Sequence, residues 1–204
     1  MDGIVMVWTI LIILGIIIII GAWLAGMYNR LVNLRNQVKN AWSQIDVQLQ
    51  RRYDLIPNLV ETVKSYMNYE QTTLQKVIEA RNQAASAREL LEKQGGPTAE
   101  GASLQGLIGA ETSLRGALGG IFALAENYPA LRATENMQRL QEELASTENK
   151  VAFSRQAYND AVMLYNTQQQ VFPTNMFAQM FGHHPADLFE IEEPEAKKAV
   201  KVKF

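Results

Sequence analysis

Cysteine is absent from the 204 residues, and histidine occurs only twice. Without cysteine there is no disulfide framework, no thiolate metal site and no cysteine nucleophile. Net charge is also scarce: 19 Lys and Arg stand against 21 Asp and Glu, leaving −2. Nucleic-acid binding calls for a strongly basic face, so that class of partner is excluded. Neither the P-loop pattern nor G-x-G-x-x-G occurs, so no nucleotide cofactor is implied. A dimetal carboxylate centre in a bundle needs Glu-x-x-His pairs. His183 and His184 have no glutamate at that offset and read as a solvated turn before Pro185. Gly101-Ala102-Ser103-Leu104-Gln105-Gly106 imitates a nucleophile elbow, but its second glycine comes one residue late and no strand precedes it. No catalytic, cofactor-binding or metal-binding residue is therefore assigned.

What the chain does have is an apolar run from Ile4 through Leu14 and Ile20 to Gly26, in which only Thr9 is polar. As a helix it is about 35 Å long at ~1.5 Å per residue, enough to span a hydrocarbon core of ~30 Å with some tilt. Met1-Asp2-Gly3 supplies no basic n-region and no A-x-A site follows, so the run reads as an uncleaved anchor rather than a signal peptide. Leu24-Ala25-Gly26 is followed by Met27, not the cysteine a lipoprotein would need. Arg30, Arg35 and Lys39 just after the run place the body on the cytoplasmic side of a cell membrane.

Beyond the anchor, apolar residues recur at steps of three and four. Leu34, Val38, Ala41, Ile45, Leu49, Ile56, Leu59, Val63 and Tyr66 form one core-facing stripe, continuing through Leu74, Val77, Ile78, Ala84 and Leu91 to a stop at Gly95-Gly96-Pro97. A kink is expected near Asp54–Pro57, where proline removes a backbone donor. A second, glycine-rich helix is expected from Thr98 to about Asn127, its glycines compensated by close approach of another backbone. Glu111 and Arg115 in its middle argue against a second span. Met137, Leu140, Leu144, Thr147, Val151, Ser154, Tyr158, Val162 and Tyr165 form a near-heptad, coiled-coil-like seam ending before Phe172-Pro173. The expected fold is all-α: a transmembrane helix continuing into an antiparallel bundle of three long helices.

Arg51, Arg52 and Asp54 beside Pro57, with Glu126 and Glu148 on the later helices, form a candidate polar network. It could be a ligand pocket, or an inter-helix network satisfying backbone groups freed by proline. After Pro173 a short amphipathic helix is expected from Asn175 to Phe181, with Met176, Phe177, Met180 and Phe181 on one face as a candidate interaction surface. Residues 189–192 and 199–204 alternate apolar and charged side chains, as a hairpin would, and leave Val202 and Phe204 free for strand addition to a partner.

Tyr28-Asn29-Arg30-Leu31-Val32, the run Ala41 to Leu49, and Arg51-Arg52-Tyr53-Asp54-Leu55-Ile56-Pro57-Asn58-Leu59-Val60 resemble the LemA family. So do Ala80-Arg81, Glu126-Asn127-Tyr128-Pro129-Ala130-Leu131, Thr147-Glu148-Asn149-Lys150, Tyr158-Asn159 through Tyr165-Asn166, and Phe172-Pro173. The resemblance implies an N-terminally anchored bacterial protein with a cytoplasmic helical bundle and no established enzymatic activity. It also implies kinship with proteins that shape magnetosome membranes, and gene proximity to membrane metalloproteases of the HtpX type. The family has no agreed catalytic residues to carry over.

The expected organisation is an anchor at 1–27, a LemA-like bundle at 28–173, and an amphipathic helix with a charged tail at 174–204. The expected role is a non-enzymatic scaffold or adaptor of the bacterial inner membrane, a homo-oligomer working through partner contacts, one of them an HtpX-type protease. The alternative is a membrane-remodelling protein acting on lipid. Two small-xxx-small pairs, Gly21 with Ala25 and Ala22 with Gly26, add a contact surface within the span.

Overall fold

The computed structural model describes residues 2–66, 70–99 and 103–190. All regular structure among them is helical. Helix α1, Asp2–Lys64, has 63 residues and runs unbroken from the apolar run into the body, about 95 Å at ~1.5 Å per residue. Its first part stands alone. Met6, Trp8, Ile12, Ile16, Ile19 and Trp23 are exposed, and none of its most apolar window is buried by the rest of the chain. Water would not tolerate so long an uncovered apolar rod, whereas lipid would. Trp8 and Tyr28 lie about 30 Å apart along the helix at ~1.5 Å per residue, the spacing of two aromatic belts across a hydrocarbon core.

Full burial begins at Leu31. From there Val38, Ile45, Leu49, Ile56, Leu59 and Val63 are buried, the one-sided stripe that their spacing predicts. The chain reverses at Lys64, so the residues from Leu74 to Leu91 belong to a separate helix, α2, Gln71–Lys93. The stripe has the same period on both sides of residues 65–70, and periodicity alone conceals the break. Among the described residues four long helices therefore build the bundle, not three. Gly95 ends α2 with φ +93°, a conformation that suits glycine, and Gly96 N–H bonds back to Leu91 C=O at 3.0 Å. Helix α3 is Gln105–Ala125 and the short α4 is Pro129–Arg132. Helix α5, Glu135–Gln170, is capped by Thr134, whose hydroxyl accepts from Met137 N–H at 3.4 Å.

Side-chain pairs fix the directions. Trp42 meets Tyr158, and ten residues further along α1 Arg52 meets Glu148, ten residues back on α5. Asp46 meets Arg88, and Tyr53 meets Arg81, again by equal and opposite steps on α2. Both neighbours of α1 are antiparallel to it, and the order is up-down-up-down. The carbonyl of Tyr53 would bond residue 57, but proline offers no N–H. Arg81 Nε from α2 donates to it instead, at 3.2 Å. The helix continues through Pro57 because its orphaned acceptor has a partner.

The α3 glycines do something other than expected. A Cβ placed on Gly106, Gly109, Gly116, Gly119 or Gly120 would meet nothing within 4 Å. They face outward and leave shallow grooves on both flanks of α3 rather than admitting a second backbone.

After α5 the chain forms one 3₁₀ turn, α6, Thr174–Met176, and further turns to Gly182, in place of a regular helix from Asn175. So short a segment cannot offset helix nucleation, and its bonds mix three- and four-residue spans. Residues 183–190 then run back along α5. Asn166 exchanges two bonds with the Ala186 backbone, both 2.9 Å, and Asn159 exchanges two with Phe189, 2.8 and 3.3 Å. Phe189 is buried against Trp42 and is a core residue. Val202, Phe204 and the rest of the expected hairpin lie outside the described residues.

Candidate functional site

Arg52 occupies a core position on α1, four residues before Ile56 and three after Leu49, and its side chain is only 4% exposed. A guanidinium there must be paired, because an isolated buried charge is very costly. Glu111 of α3, 2% exposed, forms an ion pair with Arg52 Nη2 and also accepts the Tyr53 hydroxyl. Arg52 Nη1 reaches Glu148 of α5 at 2.6 Å, and Arg115 of α3 reaches the other Glu148 oxygen at 2.6 Å. Two arginines and two glutamates thus join three helices in a formally neutral cluster. Burial pushes the Tyr53 hydroxyl up to about 12, so it remains a neutral donor to Glu111. Burial alone would raise the Glu148 carboxyl, but the charges and hydrogen bonds of Arg52 and Arg115 outweigh it and hold it low.

Beside this cluster lies an open groove of about 430 Å³ between α3 and α5. Leu118, Gly119, Phe122 and Leu144 line it along with Arg52 and Glu148. All four charges are engaged with one another, so the wall it presents is apolar. Such a surface suits an apolar side chain of a partner and offers no activated nucleophile, no base paired with one, and no oxyanion cradle. Among the described residues no group of three His, Cys, Asp or Glu could hold a metal.

Of the five residues in the expected network, the structure brings together Arg52 and Glu148. Arg51, Asp54 and Glu126 are exposed, and Asp54 takes a bond from Gln50 at 2.8 Å. Glu111 and Arg115 complete the cluster. The signal for Glu111 was its spacing: it falls in step with Leu107, Leu114 and Leu118 on the buried face of α3. Arg88, bidentate to Asp46, and Arg81 are further inter-helix ties.

At the other end of the bundle, His183 is buried rather than solvated. Its Nδ1 lies 3.0 Å from the Tyr165 hydroxyl, and its ring edges Tyr165 and Tyr28. Phe181 packs on Tyr28 at 5.4 Å and stacks on Phe177 at 6.3 Å. Phe177 and Phe181 are thus half-buried within the protein, whereas Met176 and Met180 are exposed. Ile4, Leu14, Ile20 and Gly26 all lie on α1 ahead of the packed body.

The family model described as LemA family matches residues 41–204. The chain is 28% identical over 179 residues to magnetosome protein MamQ 2 of Paramagnetospirillum magneticum, and 26% identical over 179 residues to magnetosome protein MamQ of Magnetospirillum gryphiswaldense. Each match covers 82% of this chain and 65% of the relative. Protein LemA of Metamycoplasma hominis is 26% identical over 170 residues, covering 83% of this chain and 72% of that protein.

Two outcomes follow from the geometry. Arg52→Ala leaves Glu111 buried without its guanidinium partner, and is expected to lower unfolding stability by about 3 kcal/mol in denaturant titration. A loss of well under 1 kcal/mol would mean that the cluster is solvated. The second concerns acid. Burial first, then the charges of Arg35 and His184, hold His183 below the usual histidine value. The unfolded chain then takes up the proton first, so the stability from neutral His183 is complete above about pH 6.5 and is lost as pH falls through the lower folded-state value. The melting temperature of the detergent-solubilised protein should fall between about pH 7 and about pH 5.5. His183→Gln should show a smaller fall, and equal falls would contradict the assignment.

Proposed function

On the premise that this chain belongs to the LemA family, we propose that it is a membrane-anchored scaffold or adaptor of a bacterial cytoplasmic membrane, with no enzymatic activity of its own. It works through homo-oligomerisation and partner contacts. The observation that carries this reading is where the chemistry lies. The buried charges neutralise one another inside the bundle, while the groove between α3 and α5 presents an apolar wall of Leu118, Phe122 and Leu144. A second groove, between α1 and α5, sets Val47 and Phe153, itself 74% exposed, among polar side chains. Anchoring confines copies to two dimensions, which makes weak contacts between such faces productive.

Arg30, Arg35 and Lys39 support a cytoplasmic body. The partner to which the family resemblance points is a membrane metalloprotease of the HtpX type. Direct remodelling of lipid is the alternative, favoured by the exposed Phe172, Met176 and Met180. Vesicle shape separates the two, since a scaffold leaves vesicles round and a remodeller forms tubules.

Mass photometry of the detergent-solubilised protein over a range of concentrations tests the scaffold reading. Oligomer masses are expected, with Phe153→Asp shifting the population toward single protomers. A single protomer mass at every concentration would reject it.

A further inference from the structure

We propose that the turn segment after α5 is a second membrane contact, with Phe172, Met176 and Met180 seated in the lipid headgroup–acyl boundary beside the anchor. This rests on the reading of α1 as a membrane span and adds a lipid-binding site that fixes the attitude of the bundle on the membrane.

Three independent observations place it there. The first is position. Helix α5 returns antiparallel to α1, so its C-terminal end comes back to where α1 leaves the apolar run. The segment is pinned at that level by Phe181 on Tyr28, at 5.4 Å, and by His183 between Tyr28 and Tyr165. Tyr28 lies two residues beyond Gly26, only about 3 Å along the axis at ~1.5 Å per residue.

The second is exposure. Phe172, Met176 and Met180 are 79%, 65% and 77% exposed, on a turn whose inner side is filled by Ala178 and Thr174. Phe177 and Phe181 support the turn from within, so of the expected face Met176 and Met180 point outward, joined by Phe172.

The third is charge. Between Asp160 and Asp187 the chain carries no Asp, Glu, Lys or Arg, and neither does α1 between Asp2 and Arg30. The two stretches that meet at the membrane end are therefore both free of charge. Arg30, exposed about 6 Å beyond Gly26 at ~1.5 Å per residue, is placed for anionic headgroups.

Aromatic and thioether side chains on an uncharged turn match the interfacial layer, where an apolar body is buried and backbone groups stay wet. A second protein copy is the competing occupant, but the anchor fixes the position of lipid alone.

The absence of cysteine makes labelling direct. Full-length Met176→Cys and Met180→Cys variants would carry a polarity-sensitive fluorophore in vesicles of phosphatidylethanolamine and phosphatidylglycerol, 3:1. Ile17→Cys marks the span, and Ser146→Cys marks the distant part of α5. Labels at 176 and 180 are expected to emit to the blue of the label at 146. They should also be quenched severalfold more strongly by lipids with a shallow nitroxide than by lipids with a deep one. Emission and quenching at 176 and 180 equal to those at 146 would overturn the proposal. So would blue emission without lipid quenching, which would assign the surface to another protein copy. Failure of deep nitroxides to quench the label at 17 would instead overturn the anchor reading on which the proposal rests.

Discussion

A single uninterrupted helix carries both the apolar run and one wall of the bundle, and the rest of the architecture depends on that continuity. A hydrogen-bonded α-helix is a stiff rod, so the tilt of the apolar half is passed on to the packed half. The stripe that begins at Leu31 then sets which way the bundle faces. The antiparallel return of α5 brings the turn that ends at His183 back to the level of Tyr28. Anchor, bundle and terminal turn are parts of one lever.

The interior of the bundle is organised by charge as much as by apolar packing. Replacing a buried ion pair with apolar residues is often neutral or stabilising, so a neutral cluster is weak evidence of stability. Its value lies in register. Arg52 can meet Glu111 and Glu148 together only if α1, α3 and α5 stand at one relative height, and Arg88 with Asp46 imposes the same condition on α2. Arg81 serves a different end, satisfying the carbonyl that Pro57 leaves open. With these charges engaged inside the bundle, the groove between α3 and α5 is left to Leu118, Gly119, Phe122 and Leu144.

Helix periodicity made the all-α class and the buried stripe legible, because burial on one side imposes steps of three and four, and the unbroken apolar run made the anchor legible. The end of α1 at Lys64 was invisible for the same reason, since the stripe keeps its phase into α2. Arg52 and Glu148 were legible as charges at special places, but Glu111 was hidden among leucines, where spacing alone reveals its burial. Composition could not show that the α3 glycines face outward, nor that His183 is enclosed by Tyr28 and Tyr165. Each depends on which surface another helix covers, and that is a tertiary property. Phe189 is the clearest case. Its alternation with charged neighbours looked like a strand, but Asn159 and Asn166 hold it as an extended tail against Trp42.

The claim that anchor and bundle share one rigid helix is tested most directly by a distance. Spin labels at Ile17→Cys and Lys39→Cys lie on either side of Gly26, one in the span and one on the body. In nanodiscs, pulsed electron resonance should give a narrow distribution centred near ~33 Å, the rise of a continuous helix at ~1.5 Å per residue. A broad distribution, or one centred well below that value, would mean that the chain bends or unwinds between membrane and bundle and would contradict the account.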